Sequence, residues 1–283
     1  MKVCIVGLGL LGGSFALAVR KVVKDCTVLG VDVNEEHART ALERGIAGEI
    51  TTFEAGIAQA DITVLATPVD ILASQVVPAL DLLKPGAILT DLGSTKEIIC
   101  QKAAGHALRG RFVASHPIAG TEDSGPKAAF EGLLKDKMMI ICDGEYSDAD
   151  AVKTIEGLYE KVGMKIVYMP AKAHDSHIAF VSHLSHISSF ALGATVLEKE
   201  KNEKNIFNMA GSGFSSTVRL AKSSPDMWAP IFSQNRGNIS QALALYIEKL
   251  QQFKETIDAD DQASAHRFMK ETNDIRRVLK GDD

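Results

Sequence analysis

Short apolar runs alternate with longer amphipathic stretches through the first part of the chain. The apolar runs are rich in Val, Ile and Leu, as is typical of strands buried on both faces of a sheet. They are Lys2–Val6, Thr27–Val31, Ile62–Ala66, Ala87–Asp91, Arg111–Ser115, Lys137–Ile141 and Lys165–Met169. The stretches between them have helical periodicity, for example 15–24, 35–44, 69–83, 95–108 and 148–162. This alternation predicts an α/β domain with a doubly wound sheet of seven or eight strands.

The pattern changes after Pro170, where only long helical patterns follow. They cover about residues 171–199, 217–223, 225–253 and 260–279. We therefore predict an α/β domain over residues 1–169 and an all-α domain over residues 170–283. The broad apolar content of these helices indicates that they pack against one another or against a second subunit, which favours a helical homodimer.

Glycines lie at the turn after the first predicted strand. The chain there reads Gly7-Leu8-Gly9-Leu10-Leu11-Gly12-Gly13-Ser14 and then becomes helical. The first glycine allows a tight turn, the second lets the backbone approach a pyrophosphate, and the third lets the helix pack closely on the strand. The helix N-terminus then offers free N–H groups to the anion. The pattern predicts a dinucleotide site that includes Gly7, Gly9, Leu10, Leu11 and Gly12.

Asp32 indicates which dinucleotide binds there. It ends the second predicted strand, 20 residues beyond Gly12, where a carboxylate accepts hydrogen bonds from ribose hydroxyls and repels a 2′-phosphate. No arginine follows directly, so the sequence favours NAD over NADP. Thr67 and Pro68 follow the third predicted strand and are expected to line the same crevice.

Composition and charge narrow the class of protein. The 283 residues are 46% apolar and 24% charged, with a formal charge of −5, which is typical of a globular protein and disfavours a nucleic-acid partner. The four cysteines form no C-x-x-C pair, so we expect neither a metal site nor a disulfide framework. The N-terminal glycines do not suit a signal peptide, and we expect no other stretch of membrane-spanning length. We therefore expect a cytoplasmic protein without a membrane partner.

Polar residues follow two of the predicted strands. The stretch His116–Gly125 holds one imidazole, two carboxylates and two hydroxyls, and it follows the strand Arg111–Ser115. Ligands in open α/β sheets bind at the carboxyl ends of strands, which makes this stretch a candidate active site, although its composition also suits an ordinary turn. Ser94 follows the preceding strand and is either a helix N-cap, a site residue, or both.

The helical half contains four histidines in its first predicted helix: His174, His177, His183 and His186. At about 100° per residue, the first two share one helix face and the last two lie on roughly the opposite face. One helix therefore does not gather all four around a metal, and we expect one pair to line a pocket and the other to be structural. Arg219 follows a glycine-rich segment that we expect to be a flexible loop, and it is either a surface cation or a bidentate carboxylate ligand.

Together these segments resemble the prephenate/arogenate dehydrogenase family of tyrosine biosynthesis. The motifs that carry the resemblance lie along most of the chain: Gly7–Ser14, Asp91–Lys96, His116–Gly125, Ser182–His186, Gly211–Arg219 and Ser224–Trp228. The first is shared by many dehydrogenases, whereas the histidine and helical motifs are more specific. The resemblance implies a Rossmann-type domain followed by an all-α dimerisation domain.

The resemblance also implies a reaction, the NAD-dependent oxidative decarboxylation of prephenate to 4-hydroxyphenylpyruvate. His116 would take the proton of the ring hydroxyl as a general base, and Ser94 would hydrogen-bond the same hydroxyl. The implied substrate-binding residues are Arg219 on a carboxylate, His186 and His183 in the pocket wall, and Glu122 at the pocket mouth.

The chain departs from the family pattern at Ser216, Ser185 and Pro230, which leaves the details of substrate gating open. The substrate is also open, because arogenate carries an ammonium where prephenate carries a keto group. Glu122 and Asp123 would attract that ammonium, whereas Lys127 would repel it. We expect prephenate.

Two further classes of protein remain as alternatives. A β-hydroxyacid dehydrogenase of similar architecture would normally use a lysine in the helical half, and the histidine stretch disfavours it. A non-catalytic NAD-binding protein would have no need for the histidine, serine and arginine together.

Overall fold

The computed structural model describes residues 1–203 and 205–279, apart from the side chain of Leu279. The chain forms two compact units, the first over Met1–Arg236 and the second from Gly237 onward. The strands are β1 (Lys2–Val6), β2 (Thr27–Val31), β3 (Glu49–Ile50), β4 (Ile62–Leu65), β5 (Ile88–Asp91), β6 (Phe112–Pro117), β7 (Met138–Cys142) and β8 (Lys165–Met169). They form one sheet in the order β3-β2-β1-β4-β5-β6-β7-β8, which confirms the predicted doubly wound fold.

Six helices accompany the strands, and four more complete the first unit. The first six are α1 (Leu10–Val22), α2 (Glu35–Glu43), α3 (Phe53–Gln59), α4 (Val69–Asp81), α5 (Glu97–Ala103) and α6 (Ala149–Val162). The next four are α7 (Ala171–Ile178), α8 (Leu184–Glu200), α9 (Ser212–Val218) and α10 (Pro225–Gln234). Within the described residues no strand follows Met169.

The second unit is helical. Its helices are α11 (Arg236–Asp258), whose first residue ends the first unit, α12 (Gln262–Thr272) and α13 (Arg276–Leu279). The side chain of Asp261 caps α12 by accepting a hydrogen bond from the Ser264 N–H. The last residues of the predicted helical domain, 280–283, lie outside the described residues, as does Lys204.

Alternating residues of β1 build two hydrophobic cores, one on each face of the sheet. Val3 and Ile5 pack with Phe15 of α1 on one face, whereas Cys4 and Val6 pack with helices such as α4 on the other. Successive side chains of a strand point to opposite faces, so a strand that is apolar at every position needs helices on both sides. This is the physical reason for the uninterrupted apolar runs in the sequence.

Strands β1 to β6 are parallel, but β7 pairs antiparallel to β6 and β8 runs parallel to β7. Parallel neighbours usually require a helical crossover, and only a short 3₁₀ turn, Pro126–Ala128, lies between β6 and β7. The chain therefore returns along the neighbouring edge in the opposite direction. The residues that follow His116 lie in this return.

Several element boundaries differ from the predictions. The two-residue strand β3 and the helix α3 were not predicted, because their few apolar positions show no clear period. The predicted helix over 225–253 is two helices that break at Asn235. The predicted helix over 171–199 contains a π-helical turn, Ala179–His183, between α7 and α8. The segment expected to be a loop before Arg219 is the helix α9, and Arg219 follows its last residue.

We expected no further stretch with the length and apolar composition of a membrane span, and this expectation is wrong. The continuous helical run Ala171–Glu200 is long and apolar enough to cross a membrane, and only 11% of its most apolar part is buried. Such a helix also suits a subunit interface, because a large apolar face exposed on a single chain is typical of a surface that another copy covers.

Candidate active site

The glycine turn after β1 combines close backbone packing with open space, as a dinucleotide site requires. Gly7 has φ +94°, and a Cβ atom on it would lie 2.7 Å from the backbone of Ala66. A Cβ atom on Gly12 would lie 2.0 Å from the Gly7 carbonyl oxygen, whereas one on Gly9 would meet nothing within 4 Å. Two glycines thus allow close packing, and the third leaves open space before the first turn of α1, which begins at Leu10. The N–H groups of this turn are oriented as an anion requires.

Asp32 lies at the same edge of the sheet and is held by the backbone. Its Oδ2 accepts a hydrogen bond from the Leu8 N–H at 2.9 Å, and its Oδ1 accepts one from the Asn34 N–H at 2.9 Å. A carboxylate fixed in this way keeps lone pairs for the ribose hydroxyls of a dinucleotide. The residues present therefore fit NAD.

The loop after β4 lies beside the glycine turn. Thr67 N lies 2.9 Å from the Cβ position of Gly7, and the Thr67 hydroxyl donates to Gln75 Oε1 at 2.8 Å. Pro68 precedes the first turn of α4. The cofactor residues predicted from sequence thus come together around one turn: Gly7, Gly9, Leu10, Leu11, Gly12, Thr67 and Pro68.

An ion pair beneath the site joins the ends of β5 and β6. Lys96 and Asp91 are fully buried, and the Lys96 ammonium donates both to the Asp91 carboxylate and to the Ser115 carbonyl, the latter at 2.7 Å. Asp91 also accepts from the Ser115 N–H at 3.0 Å and from the Gly93 N–H at 2.9 Å. These bonds fix the two strand ends that carry Ser94 and His116.

Ser94 does not cap α5, so the N-cap interpretation of this residue is wrong. The first N–H groups of that helix, those of Lys96 and Glu97, donate to the carboxylate of Asp175 at 2.7 and 2.9 Å. The helix begins only at Glu97, and Ser94 lies half-buried in the preceding loop.

His116 is the penultimate residue of β6 and is 8% exposed. Its Nδ1 lies 2.7 Å from Nε2 of His174, and Nδ1 of His174 lies 2.8 Å from Oδ1 of Asp175. Burial lowers the pKa of His116 well below 6.5, and the neighbouring His174, Lys96 and His183 lower it further. A neutral imidazole at this position is a proton acceptor near neutral pH.

The motifs Ser182–His186 and Ser224–Trp228 of the helical half meet at an aromatic cluster. His186 stacks on Trp228 with 3.6 Å between ring centroids, and His183 meets the edge of the same indole at 5.8 Å. Burial lowers the pKa of His183 to about 4 and also lowers that of His186. Both imidazoles are therefore neutral at pH 7.

Two nitrogens in this cluster are buried without a hydrogen-bond partner among the described residues, Nε2 of His183 and Nε1 of Trp228. Asn235 donates to His183 Nδ1 at 3.2 Å, which leaves the proton of that imidazole on Nε2. Buried N–H groups are normally paired, so these two atoms indicate a region where an acceptor binds.

Helix α10 connects the aromatic cluster to the segments that follow β4 and β5. The side-chain amide of Gln234 donates to the Val69 carbonyl at 2.7 Å, and Gln234 Oε1 accepts from the Thr95 hydroxyl at 2.7 Å. Trp228 packs on Val69 of α4 in a small apolar cluster. The helical motifs thus lie beside the loops that carry Pro68 and Ser94.

Arg219 forms an ion pair with Glu122, with Nη1 2.8 Å from Oε2. The arginine is 51% exposed and the glutamate 31%, so both remain accessible. A hydrogen bond from its own backbone lowers the pKa of Glu122, and Arg219 lowers it further. Arg219 also lowers the pKa of His186, which links this pair to the aromatic cluster.

Of the two expected histidine pairs, His183 and His186 do lie together, but His174 and His177 do not act as a pair. His174 contacts His116, His183 and His186 contact Trp228, and His177 is exposed. The π-helical turn absorbs one extra residue, so the nine steps from His174 to His183 advance the helix like eight, roughly 80° instead of 180°. Periodicity alone did not reveal this. In residues 1–203 and 205–279, no three His, Cys, Asp or Glu side chains are grouped as a metal site requires.

Sequence reasoning assigned no site role to Asp175, Asn235 or Lys96, and it left open whether His174 lines a pocket or is structural. The adjacent His174 and Asp175 were the available signal, since a histidine beside a carboxylate often forms an oriented pair. A glycine turn suited to a dinucleotide, with a neutral, buried imidazole at the carboxyl end of another strand of the same sheet, is the arrangement of a nucleotide-dependent oxidoreductase.

Comparisons with known proteins define the family. Residues 15–168 match the model of the prephenate dehydrogenase nucleotide-binding domain, and residues 170–271 match that of the prephenate dehydrogenase dimerization domain. The chain belongs to the prephenate dehydrogenase family and is an oxidoreductase with a nucleotide-binding domain. The predicted family and fold class are confirmed.

Individual relatives agree with this assignment. The prephenate dehydrogenase of Bacillus subtilis is 30% identical over 98% of this chain and 76% of its own length. The crystal structure of prephenate dehydrogenase from A. aeolicus, in complex with hydroxyphenyl propionate and NAD+, is 32% identical with a TM-score of 0.90, over 99% of this chain and 98% of that one. Synechocystis arogenate dehydrogenase is 27% identical with a TM-score of 0.76, over 99% of this chain and 100% of that one.

Proposed function

We propose that this protein catalyses the NAD-dependent oxidative decarboxylation of prephenate to 4-hydroxyphenylpyruvate. The observation that carries the proposal is the buried, neutral His116 at the cofactor edge of the sheet. When bound, NAD supplies the acceptor for the hydride that leaves C4 of the substrate ring. The chain's own residues bind the substrate, orient it and hold its proton.

His116 is the general base in this proposal. It takes the proton of the C4 hydroxyl as the C4 hydride leaves, so that a ring carbonyl forms. The bond to the ring carboxylate then breaks, CO2 departs, and its electron pair completes the aromatic ring as a phenolate. The phenolate takes the proton back from His116. Ser94, in the loop beside β6, donates to the same oxygen and fixes its position.

Charged and aromatic groups bind the rest of the substrate. Arg219 is half-exposed and exchanges its contact with Glu122 for a substrate carboxylate, which is a bidentate acceptor for a guanidinium. His183 and His186 line the pocket together with Trp228, and the unpaired N–H groups there suit a second acceptor of an anionic substrate. Glu122 lies at the mouth and holds Arg219 in place while no substrate is bound.

Arogenate is the alternative substrate, and one of the sequence arguments against it is wrong. Lys127 does not face the mouth, because its ammonium pairs with Glu36 of α2 at 3.1 Å. It therefore neither repels an arogenate ammonium nor attracts a prephenate carboxylate. We keep prephenate as the proposed substrate, because the prephenate dehydrogenase of Bacillus subtilis resembles this chain over 98% of this chain's length.

A homodimer that forms through the helical half is part of the proposal, and so is the division into residues 1–169 and 170–283. The apolar run Ala171–Glu200 exposes side chains such as Val181 and Leu197, which a second copy of the chain would cover. A dimer that buries this run has no need of a membrane, so we also propose that the protein is cytoplasmic. We further propose, from its formal charge of −5, that it binds no nucleic acid.

The proposal is tested by NADH formation with purified protein and its His116→Asn variant. The wild type is expected to turn over prephenate with NAD, and the variant is expected to lose kcat by about 10²–10⁴-fold with unchanged NAD affinity. His177→Asn, at an exposed position, is the matched control. An unchanged kcat in His116→Asn removes His116 from the role of base.

A further inference from the structure

His116, His174 and Asp175 form one continuous hydrogen-bonded chain inside the protein. The two imidazoles meet at 2.7 Å, and the second imidazole meets the carboxylate at 2.8 Å. His174 is 1% exposed and Asp175 2%. Neither residue belongs to the motifs that pointed to the site.

The donors around Asp175 determine the direction of every hydrogen bond in this chain. Its two carboxylate oxygens accept from the N–H groups of Lys96 and Glu97, so both act as acceptors and the third bond comes from His174 Nδ1–H. His174 Nε2 then has no proton and accepts from His116 Nδ1–H. His116 Nε2 is consequently the unprotonated nitrogen, the one that a base requires.

We propose that His174 and Asp175 are positioning residues that set the tautomer of His116 and hold the proton that His116 removes from the substrate. This inference rests on the proposed role of His116 as base. The imidazole of His174 forms hydrogen bonds with His116 and Asp175, so His174 acts through His116. The two imidazoles and the carboxylate thus extend the familiar arrangement in which a buried carboxylate orients a catalytic histidine.

The proton transfer involves only N–H and O–H bonds. As the substrate hydroxyl proton binds His116 Nε2, the proton on His116 Nδ1 moves to His174 Nε2. His116 is then neutral again, and the positive charge lies on His174 beside the Asp175 carboxylate. The reverse shift returns the proton to the phenolate. This arrangement places the charge against a carboxylate instead of leaving it on His116, whose burial disfavours an imidazolium.

The rest of the fold holds the chain rigid. Asp175 joins α7 to the start of α5 through the two backbone bonds, where the helix N-terminus favours a carboxylate. Asn235 donates to the backbone carbonyl of Asp175 at 2.7 Å and to His183 at 3.2 Å. The same amide thereby connects the relay to the substrate pocket.

The other charged and titratable groups near the relay oppose an imidazolium on His116. Lys96 lies in the β5–α5 loop, where it forms an ion pair with Asp91. His183 lies in the π-helical turn, and both residues lower the pKa of His116. On α7 itself, the exposed His177 lies three residues from His174. Asp175 is the carboxylate in direct contact with the relay, so its charge is the one to remove in a test.

Three variants test the relay. Asp175→Asn removes the negative charge, and we expect kcat to fall by about 10–10³-fold and the acidic limb of the kcat/KM profile to move to lower pH. His174→Leu removes the acceptor for His116 Nδ1–H and is expected to lose at least about 10²-fold. His174→Gln offers a carbonyl oxygen as acceptor, so it is expected to recover about 10-fold or more relative to His174→Leu.

Michaelis constants and stability separate this role from a structural one. The KM for NAD is expected to stay within about twofold in all three variants, and His177→Leu is expected to match the wild type. Thermal unfolding identifies any variant that fails to fold, in which case His174→Gln carries the test. Variants that fold with unchanged kcat and an unmoved acidic limb overturn the relay. If His116→Asn also keeps its kcat, the proposed function fails as well; if it is inactive, only the relay fails.

Discussion

Arg219 and Glu122, which are 97 residues apart in the chain, form an ion pair of 2.8 Å between the segment after α9 and the loop after β6. Both side chains are partly exposed, so solvent screens the pair and it contributes little to stability. In the proposed function, the pair matters because it holds the Arg219 guanidinium where a substrate carboxylate would bind.

Arg219→Gln is expected to raise the KM for prephenate by about 10–10²-fold and to change kcat by only a few-fold. A charge-assisted bond to a carboxylate contributes about 1.5–3 kcal/mol, and this one forms with the bound substrate. Lys222→Gln on the same segment is the matched control. Steady-state kinetics with an unaltered KM in Arg219→Gln would count against the carboxylate contact.

Glu122→Gln tests the other half of the pair. Substrate then no longer competes with Glu122 for Arg219. We therefore expect the KM for prephenate to fall by up to about fivefold, a small change because the ion pair is exposed to solvent. A rise in KM would show instead that Glu122 contacts the substrate directly.

The buried pair of Lys96 and Asp91 yields a prediction about stability. Lys96→Met leaves the Asp91 carboxylate buried without its cation, and we expect the free energy of unfolding to fall by about 3–5 kcal/mol. Lys84→Met is the control, because its pair with Asp61 is half-exposed and contributes at most about 1 kcal/mol. Urea unfolding measures both, and equal losses would contradict the special role of the buried pair.

The low pKa of His116 predicts the pH dependence of activity. The base works when it is neutral, and burial lowers its folded pKa well below 6.5. Activity is therefore expected to persist below pH 6.5 and to decline only as the pH falls through the lowered pKa. An acidic limb of kcat/KM at or above 6.5 would mean that His116 is not buried as the structure has it or is not the base.

Asp32 predicts the cofactor preference. Asp32→Ser loses the charged acceptor for the ribose hydroxyls and the repulsion of a 2′-phosphate. We expect the ratio of kcat/KM for NAD to that for NADP to fall by about 10–10²-fold. Asn34→Ser leaves the carboxylate in place and is the control; a ratio unchanged in Asp32→Ser would assign the preference elsewhere.

Local patterns predicted most of the nucleotide-binding half of the fold, although not β3 and α3. The glycine turn and Asp32 depend on residues within one strand-turn-helix-strand unit, where spacing along the chain determines spacing in the fold. The strand ends were predictable within two residues for the same reason; β6 extends to Pro117 because it pairs with β7.

The helical half of the site required the structure. His174 was assigned to the wrong pair because a π-helical turn, invisible in the period, rotates His183 towards it. Asp175 caps a helix 78 residues earlier in the chain, a contact that no local spacing encodes. Asn235 separates two helices that the sequence pattern predicts as one. Its side-chain amide donates to His183 and to the Asp175 carbonyl.

The central claim is that His116, at the cofactor edge of the sheet, takes the proton of the ring hydroxyl of prephenate as NAD takes the hydride. The most direct measurement is the rate of NADH formation with prephenate, arogenate and a simple β-hydroxyacid, each with NAD and with NADP. The account predicts the highest kcat/KM for prephenate with NAD and release of one CO2 per NADH. Turnover of the β-hydroxyacid alone, or NADH formed without CO2, would contradict it.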